Sequence, residues 1–312
     1  MPLLAEISTA DWYHIAQLGI ESLRYGLLIA LIALGYTMVY GIVELINFAH
    51  GDLFMLGSCL SLTIITLGQF RGWPPPVSIA LALVAVPIFC ACLNLAVDRA
   101  VYKPLRTAPK LAPLVSAIGV SFVFMNIGLF WEGPQDVNFP DLLPTENLLG
   151  PNAPVLLTWK TLIVVAVTLP LMVALTYLVK FTTLGKAMRA TAQNPIAARL
   201  MGIDSDRVIG ATFLIGGALG GFGSVVYCLT VNTVSYQMGF QAGLFAFTAA
   251  VLGGIGNIPG AVLGGLLIGF IRGFGSEYVG ETWTPALVFT ALIAVLVFRP
   301  SGLLGARVRE KV

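Results

Sequence analysis

The sequence predicts an all-α fold, a polytopic bundle of about eight or nine transmembrane segments in which some helices are interrupted. Of the 312 residues, 57% are hydrophobic and only 10% are charged, and the mean hydropathy is +0.90. Soluble domains contain about 25% charged residues, so water cannot be the main solvent of this surface and lipid must be. This composition excludes a cytosolic enzyme and a nucleic-acid-binding protein.

Membrane spans are predicted wherever an apolar run approaches the roughly 20 residues that a bilayer core requires. Six full spans, two shorter runs and a last span cover residues 25–42, 45–67, 77–97, 114–131, 161–179, 208–231, 245–255, 261–274 and 285–298. Gly256, Asn257, Pro259 and Gly260 separate the two shorter runs and disfavour a continuous helix. We therefore expect a re-entrant or broken pair of helices there, with one long kinked helix as the alternative.

The distribution of Lys and Arg predicts the orientation. Segments 98–110, 180–207 and 299–312 hold 13 of the 17 basic residues, whereas the intervening loops, such as 132–146, are acidic. Basic loops stay in the cytoplasm, so the C-terminus is expected inside and the N-terminus outside, which requires an odd number of crossings. Residues 1–312 then form one transmembrane domain, with 180–207 as a cytoplasmic loop within it.

The stretch IVELINFAHGDLFMLG places Glu44, Asn47, His50 and Asp52 in an apolar region. Asn47 and His50 share a helix face by their spacing, and polar groups within a membrane face the bundle interior or a water-filled path. Gly51 allows a break, and Asp52 can cap a new helix start. The interpretation is a discontinuous second helix that lines a substrate path. A structural hydrogen-bond node and a His/Asp proton relay are the alternatives.

A second candidate for the path is the glycine-rich sequence between the two short runs. It contains Gly254, Gly256, Asn257, Pro259 and Gly260. Unwound backbone of this kind lines cavities in transporters. Close helix packing through small residues is the alternative.

The cytoplasmic sequence LGKAMRATAQNPIAARLMGID predicts a short amphipathic helix, a break at Asn194-Pro195 and a second helix that ends at Gly202. Ala197, Ala198 and Gly202 form a small-residue face that another protein could approach closely. The alternative is a solvated basic loop.

The residues needed for catalysis are missing. His14 and His50 are too far apart to form a metal cluster, and the Gly185-Lys186 pair is followed by Ala187, so it is not part of a P-loop. We expect no enzyme activity, no metal and no cofactor in this chain, so any ATP must be hydrolysed by another protein.

Three motifs together resemble the LivH-type permeases of bacterial branched-chain amino acid ABC importers: Asn47-Phe48-Ala49-His50-Gly51, the cytoplasmic segment described above, and VLGGIGNIPGAVLGG at 251–265. The resemblance covers nearly the whole chain. It implies a permease subunit, in the bacterial inner (plasma) membrane, of an ATP-driven importer that moves branched-chain amino acids inward. Permeases for urea or short amides are similar and remain an alternative, and a stand-alone proton-coupled carrier is a further one.

The family implies a complex in the lipid bilayer: a second related permease subunit, two cytoplasmic ATPase subunits that use the ATP, and a periplasmic substrate-binding protein. The cytoplasmic segment is similar to the loop that docks on the ATPase, with Ile196 where that loop has a glutamate. The resemblance thus implies ATPase coupling for Gly185, Arg189, Asn194, Pro195, Ala197, Ala198, Gly202 and Asp204.

Cysteine accessibility tests the orientation. Single cysteines at Lys103, Gln193 and Arg309, in a background without the four native cysteines, should resist a membrane-impermeant thiol reagent applied to intact cells, because all three lie in basic segments. A cysteine at Glu146, in the acidic loop, is the control and should react. Rapid labelling at two of the three basic positions would contradict the orientation.

Overall fold

The computed structural model describes residues 9–43, 47–106, 108–109, 111–151 and 153–305. Its helices, in chain order, are α1 (Thr9–Val43), α2 (Ala49–Phe70), α3 (Pro75–Val97), α4 (Lys103–Leu105), α5 (Leu111–Glu132), α6 (Trp159–Phe181), α7 (Thr183–Gln193), α8 (Pro195–Leu200), α9 (Ser205–Val231), α10 (Met238–Gly253), α11 (Ile258–Tyr278) and α12 (Thr284–Phe298). A π-helical stretch, Asp98–Tyr102, joins α3 to α4, and a 3₁₀ turn, Glu281–Trp283, precedes α12. The predicted all-α fold is confirmed.

Eight helical segments of the described chain are long and apolar enough to cross a membrane, and α10, with 16 residues, is a shorter apolar helix. The strands are β1 (Val137–Asn138) and β2 (Thr233–Val234), which pair antiparallel with Val137 opposite Val234. This short ladder fastens the acidic loop after α5 to the end of α9. We call this side of the bundle the acidic side, and the opposite side, where α4, α7 and α8 lie, the basic side.

The centre of the bundle is formed by α1, α2, α9, α10 and α11. Helix α1 packs along α11 and α9, and α2 lies between α3, α5, α9 and α10. Most of the apolar stretch of α1 is buried, whereas α5, α6 and α12 bury only a small share of their residues and leave the others partly or fully exposed. The peripheral helices therefore present the surface that lipid or other membrane subunits cover.

Glycines set the spacing of the central helices. A Cβ atom on Gly26 of α1 would lie 2.9 Å from the Leu266 Cα of α11, and one on Gly221 of α9 would lie 2.6 Å from the Pro87 Cα of α3. Such distances leave no room for a side chain. Small residues that let backbones approach are the main means by which helices associate in lipid.

The predicted broken pair is confirmed, and the alternative of one kinked helix is wrong. Helices α10 and α11 pack against each other as a hairpin, joined by a turn at 254–257 in which Gly254 and Gly256 have φ angles of +106° and +81°. These positive φ values favour glycine. Helix α11 is longer than predicted, because the Asn257 side chain caps its start and the helix continues to Tyr278. Counting both helices keeps the number of crossings odd.

The predicted break of the second helix at Gly51 is wrong. Helix α2 runs unbroken through Gly51, and its N-cap residue is Phe48, so Asp52 lies in the first turn without capping it. Helix α1 ends at Val43 and α2 begins at Ala49, and Glu44 lies outside the described residues. Gly51 instead permits close packing, since a Cβ atom on it would lie 2.8 Å from the Gly243 Cα of α10.

Substitution of Gly51 tests this crossing. Gly51→Leu should destabilise the protein by about 1–3 kcal/mol or more, because the side chain must push α2 and α10 apart. Gly119→Leu in α5 is the matched control, because a Cβ atom there meets nothing within 4 Å. Thermal unfolding of both purified variants in detergent measures the difference. Equal midpoints would show that the crossing is not tight.

Candidate functional site

Asn47 lies in a hydrogen-bonded node at the start of α2. Its Nδ2 donates to Asn94 Oδ1 (3.3 Å), the Tyr102 hydroxyl donates to its Oδ1 (3.1 Å), and Asn94 Nδ2 donates to the Phe213 carbonyl (2.6 Å). All three polar side chains are buried. The node joins the start of α2 to α3 and α9. This arrangement agrees with the alternative interpretation of Asn47, a structural hydrogen-bond node between helices.

His50 is buried between α1 and α9. Its ring lies against Gly35 and Gly220 and meets the Tyr36 ring edge to face, with centroids 4.7 Å apart. Neither ring nitrogen has a hydrogen-bond partner among the described residues. The side chain fills a gap that two glycines leave, so its observed role is in packing.

Asp52 is buried near the middle of the bundle, with 1% of its surface exposed. The Ser121 hydroxyl donates to its Oδ2, while Oδ1 has no hydrogen-bond partner among the described residues. Ser121 is the eleventh residue of the 22-residue α5, so it lies about 15 Å from the basic-side end of that helix at 1.5 Å per residue. A carboxylate at this depth is expensive and marks a functional site in membrane proteins.

The first turn of α10 lies beside the same carboxylate. Helix α10 begins at Met238, and a Cβ atom on Gly239 would lie 2.7 Å from Asp52 Oδ1. The helix therefore starts at the depth of Asp52 and spans only about 24 Å. A helix N-terminus stabilises a nearby negative charge, so the first turn of α10 favours an ionised Asp52. The helix that starts inside this bundle is therefore α10, and not α2.

A cavity of about 290 Å³ adjoins Asp52. It lies between α5 and α10, and residues of α1 and of the start of α2 complete its lining. Its lining residues are Tyr36, Phe48, Asp52, Ile118, Ser121, Phe122, Met125, Phe240, Gly243 and Leu244. Of the predicted path residues, Asp52 lines this cavity, whereas Asn47, His50 and Gly51 lie behind its wall.

A groove of about 720 Å³ lies next to this cavity on the acidic side. The two share Phe122, Met125 and Phe240, and the groove then passes Gln237 and Asp136. By contrast, a cavity of about 600 Å³ on the basic side shares no lining residue with the one at Asp52. The cavity at Asp52 therefore adjoins the groove on the acidic side and not the cavity on the basic side.

Polar side chains distinguish the face that holds the groove from the lipid-facing surface. Gln237, the N-cap residue of α10, is exposed, and so are Gln241 of α10 and Asn126 of α5 within otherwise apolar helices. Amide side chains are unfavourable against lipid tails. This face is suited to water or to another protein. The glutamines are site residues that the sequence analysis missed, because α10 was predicted to begin only at residue 245.

The second predicted group, Gly254 to Gly260, lies elsewhere. Asn257 Oδ1 accepts from the Gly260 N–H (3.1 Å) and its Nδ2 donates to the Leu304 carbonyl (2.7 Å), with Pro259 in the first turn of α11. A Cβ atom on Gly41, at the basic-side end of α1, would lie 2.8 Å from the Gly256 Cα. These residues build the α10–α11 turn and hold the C-terminal segment against it, and none lines the cavity at Asp52.

The segment 184–204, predicted to be cytoplasmic, has the predicted two helices, α7 and α8, separated at Asn194-Pro195. Asn194 Oδ1 accepts from the N–H groups of Ile196 and Ala197 (both 3.0 Å), and Asp204 caps α9 in the same way. At the start of α7 the Thr182 hydroxyl accepts from Gly185 N, and Arg189 donates to the Val179 carbonyl.

The predicted small-residue face of this segment needs a correction. Ala198 is buried against the chain itself, so a partner cannot reach it. Gly202 ends the segment with a φ angle of +82° and serves the turn into α9. Ala197 and Gly202 remain exposed, and beside them α8 and its end expose the large apolar side chains of Ile196, Leu200 and Met201.

An ion-pair cluster connects α8 with α3 and α9. Arg106 bridges Asp98 (2.7 Å) and Asp206 (2.6 Å), and Arg199 of α8 and Lys103 of α4 also reach Asp206 (3.0 and 3.2 Å). Asp98 is 2% exposed and Arg106 14%. The sequence shows these residues only as a basic segment, because their partners are up to 103 positions apart in the chain.

Comparisons with known proteins agree with this architecture. Residues 19–297 match the family described as "Branched-chain amino acid transport system / permease component". The chain is 39% identical to the high-affinity branched-chain amino acid transport system permease protein BraD of Pseudomonas aeruginosa, over 96% of this chain and 99% of that protein. It is also 39% identical to LivH of Escherichia coli, over 91% and 93%.

A more distant relative is the fructose import permease protein FrcC of Rhizobium meliloti, with 25% identity over 78% of this chain and 68% of that protein. No solved structure matches the chain. The family match and the eight apolar helices make this a multi-pass membrane protein. It belongs to the family of permease components of branched-chain amino acid transport systems.

Proposed function

We propose that this protein is the membrane-spanning permease subunit of an ATP-driven importer that moves branched-chain amino acids inward across the bacterial inner membrane. The observation that supports this best is the cavity beside Asp52. Its walls are mainly apolar, its polar groups are gathered in one place, and it adjoins the groove on the acidic side. Mostly apolar sites with a few placed polar groups suit small amphipathic ligands. The names of BraD and LivH point to the same substrate class.

The proposed complex contains a second related permease, two cytoplasmic ATPase subunits and a periplasmic binding protein. The open flank of the cavity supports the second permease, because Phe122, Phe240 and the exposed glutamines lie there at membrane depth. A second subunit on this flank would enclose the path. In this arrangement the basic side faces the cytoplasm and the acidic side receives substrate from the binding protein.

The ATPase would dock on α8. Ile196, Leu200 and Met201 are 72%, 84% and 83% exposed, on the side where water rather than lipid is the solvent. An exposed apolar cluster in water is typical of a protein interface. Arg199, on the same helix, joins the cluster of Asp206, Arg106 and Asp98, so a displacement of α8 reaches α3 and α9 directly.

Uptake by proteoliposomes tests the function. With the full complex, binding protein and internal ATP, labelled leucine should accumulate, and a protonophore should not change the rate. His50→Gln should retain most of the uptake, because the histidine serves packing. A proton-coupled carrier would lose transport with the protonophore and with His50→Gln. Accumulation of labelled urea or acetamide without leucine would instead identify an amide importer.

Leu200→Glu tests the docking surface. The buried charge should weaken ATPase binding by about 2 kcal/mol or more, roughly thirtyfold, and abolish ATP-driven uptake without loss of membrane insertion. Gln193→Glu adds the same charge to an exposed position at the end of α7 and is the matched control. Size-exclusion chromatography of the purified complex measures subunit retention. If the Leu200→Glu complex keeps its ATPase subunits and its transport rate, α8 is not the docking element.

A further inference from the structure

The unsatisfied oxygen of Asp52 is the starting point for a more specific assignment. Oδ1 is buried, faces the N-terminus of α10 and has no hydrogen-bond partner among the described residues. In the described parts of the chain, no Lys, Arg or His forms an ion pair with Asp52. An ionised carboxylate at this depth is costly unless a cation or donors complete its shell. Its partner is therefore to be sought in the cavity it lines.

The rest of the cavity restricts what that partner can be. Ile118, Met125 and Leu244 offer apolar walls beside the carboxylate, which favour an aliphatic group next to the cation. A volume of about 290 Å³ lies at the lower end of the roughly 300–1,000 Å³ range of small-ligand pockets. The cation must therefore belong to a small molecule with a short aliphatic chain.

The orientation of an amino acid in this cavity follows from charge. Asp52 already occupies the N-terminus of α10, so a second carboxylate at that position would be repelled. The ammonium group of the ligand would lie against Asp52, and its carboxylate would accept from the amide groups of Gln237 and Gln241 in the groove. Asp136 also lines that groove, so the glutamines and not Asp136 must be the neighbours of the ligand carboxylate. Ser121 keeps Oδ2 occupied and leaves Oδ1 for the ligand.

We propose that the cavity between α5 and α10 is a substrate subsite in which the Asp52 carboxylate binds the α-ammonium group of an amino acid and Ile118, Met125 and Leu244 contact its aliphatic side chain. This inference rests on the proposed function, since the ligand is the transported substrate. It adds the anchoring residue and the orientation of the ligand, and it predicts that urea and simple amides, which have no cationic group, bind poorly.

Protection of a cysteine in the cavity wall tests the proposal even when binding is weak. In the full complex without native cysteines in this chain, Met125→Cys is labelled by a small thiol reagent in the presence of three probes. Leucine and isopentylamine share an ammonium group and an aliphatic chain, whereas 4-methylpentanoate has the chain and a carboxylate only. Leucine and isopentylamine should slow labelling, and 4-methylpentanoate should not. This comparison needs no change at Asp52, so it does not depend on the folding of an Asp52 variant.

Asp52→Asn should raise the half-protecting concentration of leucine by about 10- to 100-fold, because an uncharged amide replaces a charge-assisted hydrogen bond. Asp52→Glu should restore part of the protection. Asp141→Asn is the control, since this carboxylate pairs with Lys160 in the acidic loop (3.3 Å) and should have no effect.

Uptake of labelled leucine by the same complex distinguishes a failure of the proposed subsite from a failure of the proposed function. Equal protection by isopentylamine and 4-methylpentanoate, or an unchanged half-protecting concentration in Asp52→Asn, overturns the subsite. Leucine uptake without any protection at Met125→Cys also overturns the subsite and leaves the proposed function intact. An assembled complex that does not take up leucine overturns the proposed function itself.

Discussion

The close crossing of α2 and α10 determines the polar geometry at the middle of this bundle. Gly51 and Gly243 bring the two backbones so near that a Cβ atom on either would lie within 3.0 Å of the other glycine's Cα. This contact places Gly239, at the start of α10, against Asp52. With a larger residue at the crossing, α10 would lie farther away and its N-terminus would no longer face the carboxylate. The cavity, the orphaned oxygen and the position of the cavity beside the acidic-side groove all depend on this one approach.

A second constraint acts on the basic side. Arg106 satisfies Asp98 and Asp206 together, and removal of one partner of a buried ion pair costs about 3–5 kcal/mol. Since Asp98 follows α3 and Asp206 lies in α9, the basic-side ends of these helices are held as one unit with α8. The Asn47 node then joins α3 and α9 to the start of α2. Movement imposed on α8 is thus connected by direct contacts to the helix that presents Asp52.

Much of this architecture is predictable from sequence because lipid imposes length and apolarity on each span. The break at 254–257 was predictable for the same kind of reason, since Gly254, Gly256 and Pro259 each disfavour a continued helix. Gly51 was misread because a glycine serves close packing as well as it serves a break, and only the facing residue, Gly243, decides between them. The burial of Ala198 was likewise hidden, because the face that a two-turn helix turns inward depends on what lies beneath it.

Long-range pairs mark the limit of sequence reasoning. Nothing near Asp52 in the chain indicates Ser121 or Gly239 as its neighbours, since they are 69 and 187 positions away. Yet these neighbours decide what the carboxylate can do. The Ser121 hydroxyl donates to it, so the protein itself supplies part of the shell of the proposed ammonium site. A site that is partly satisfied without its ligand holds that ligand weakly, and transport requires binding strong enough for entry and weak enough for release.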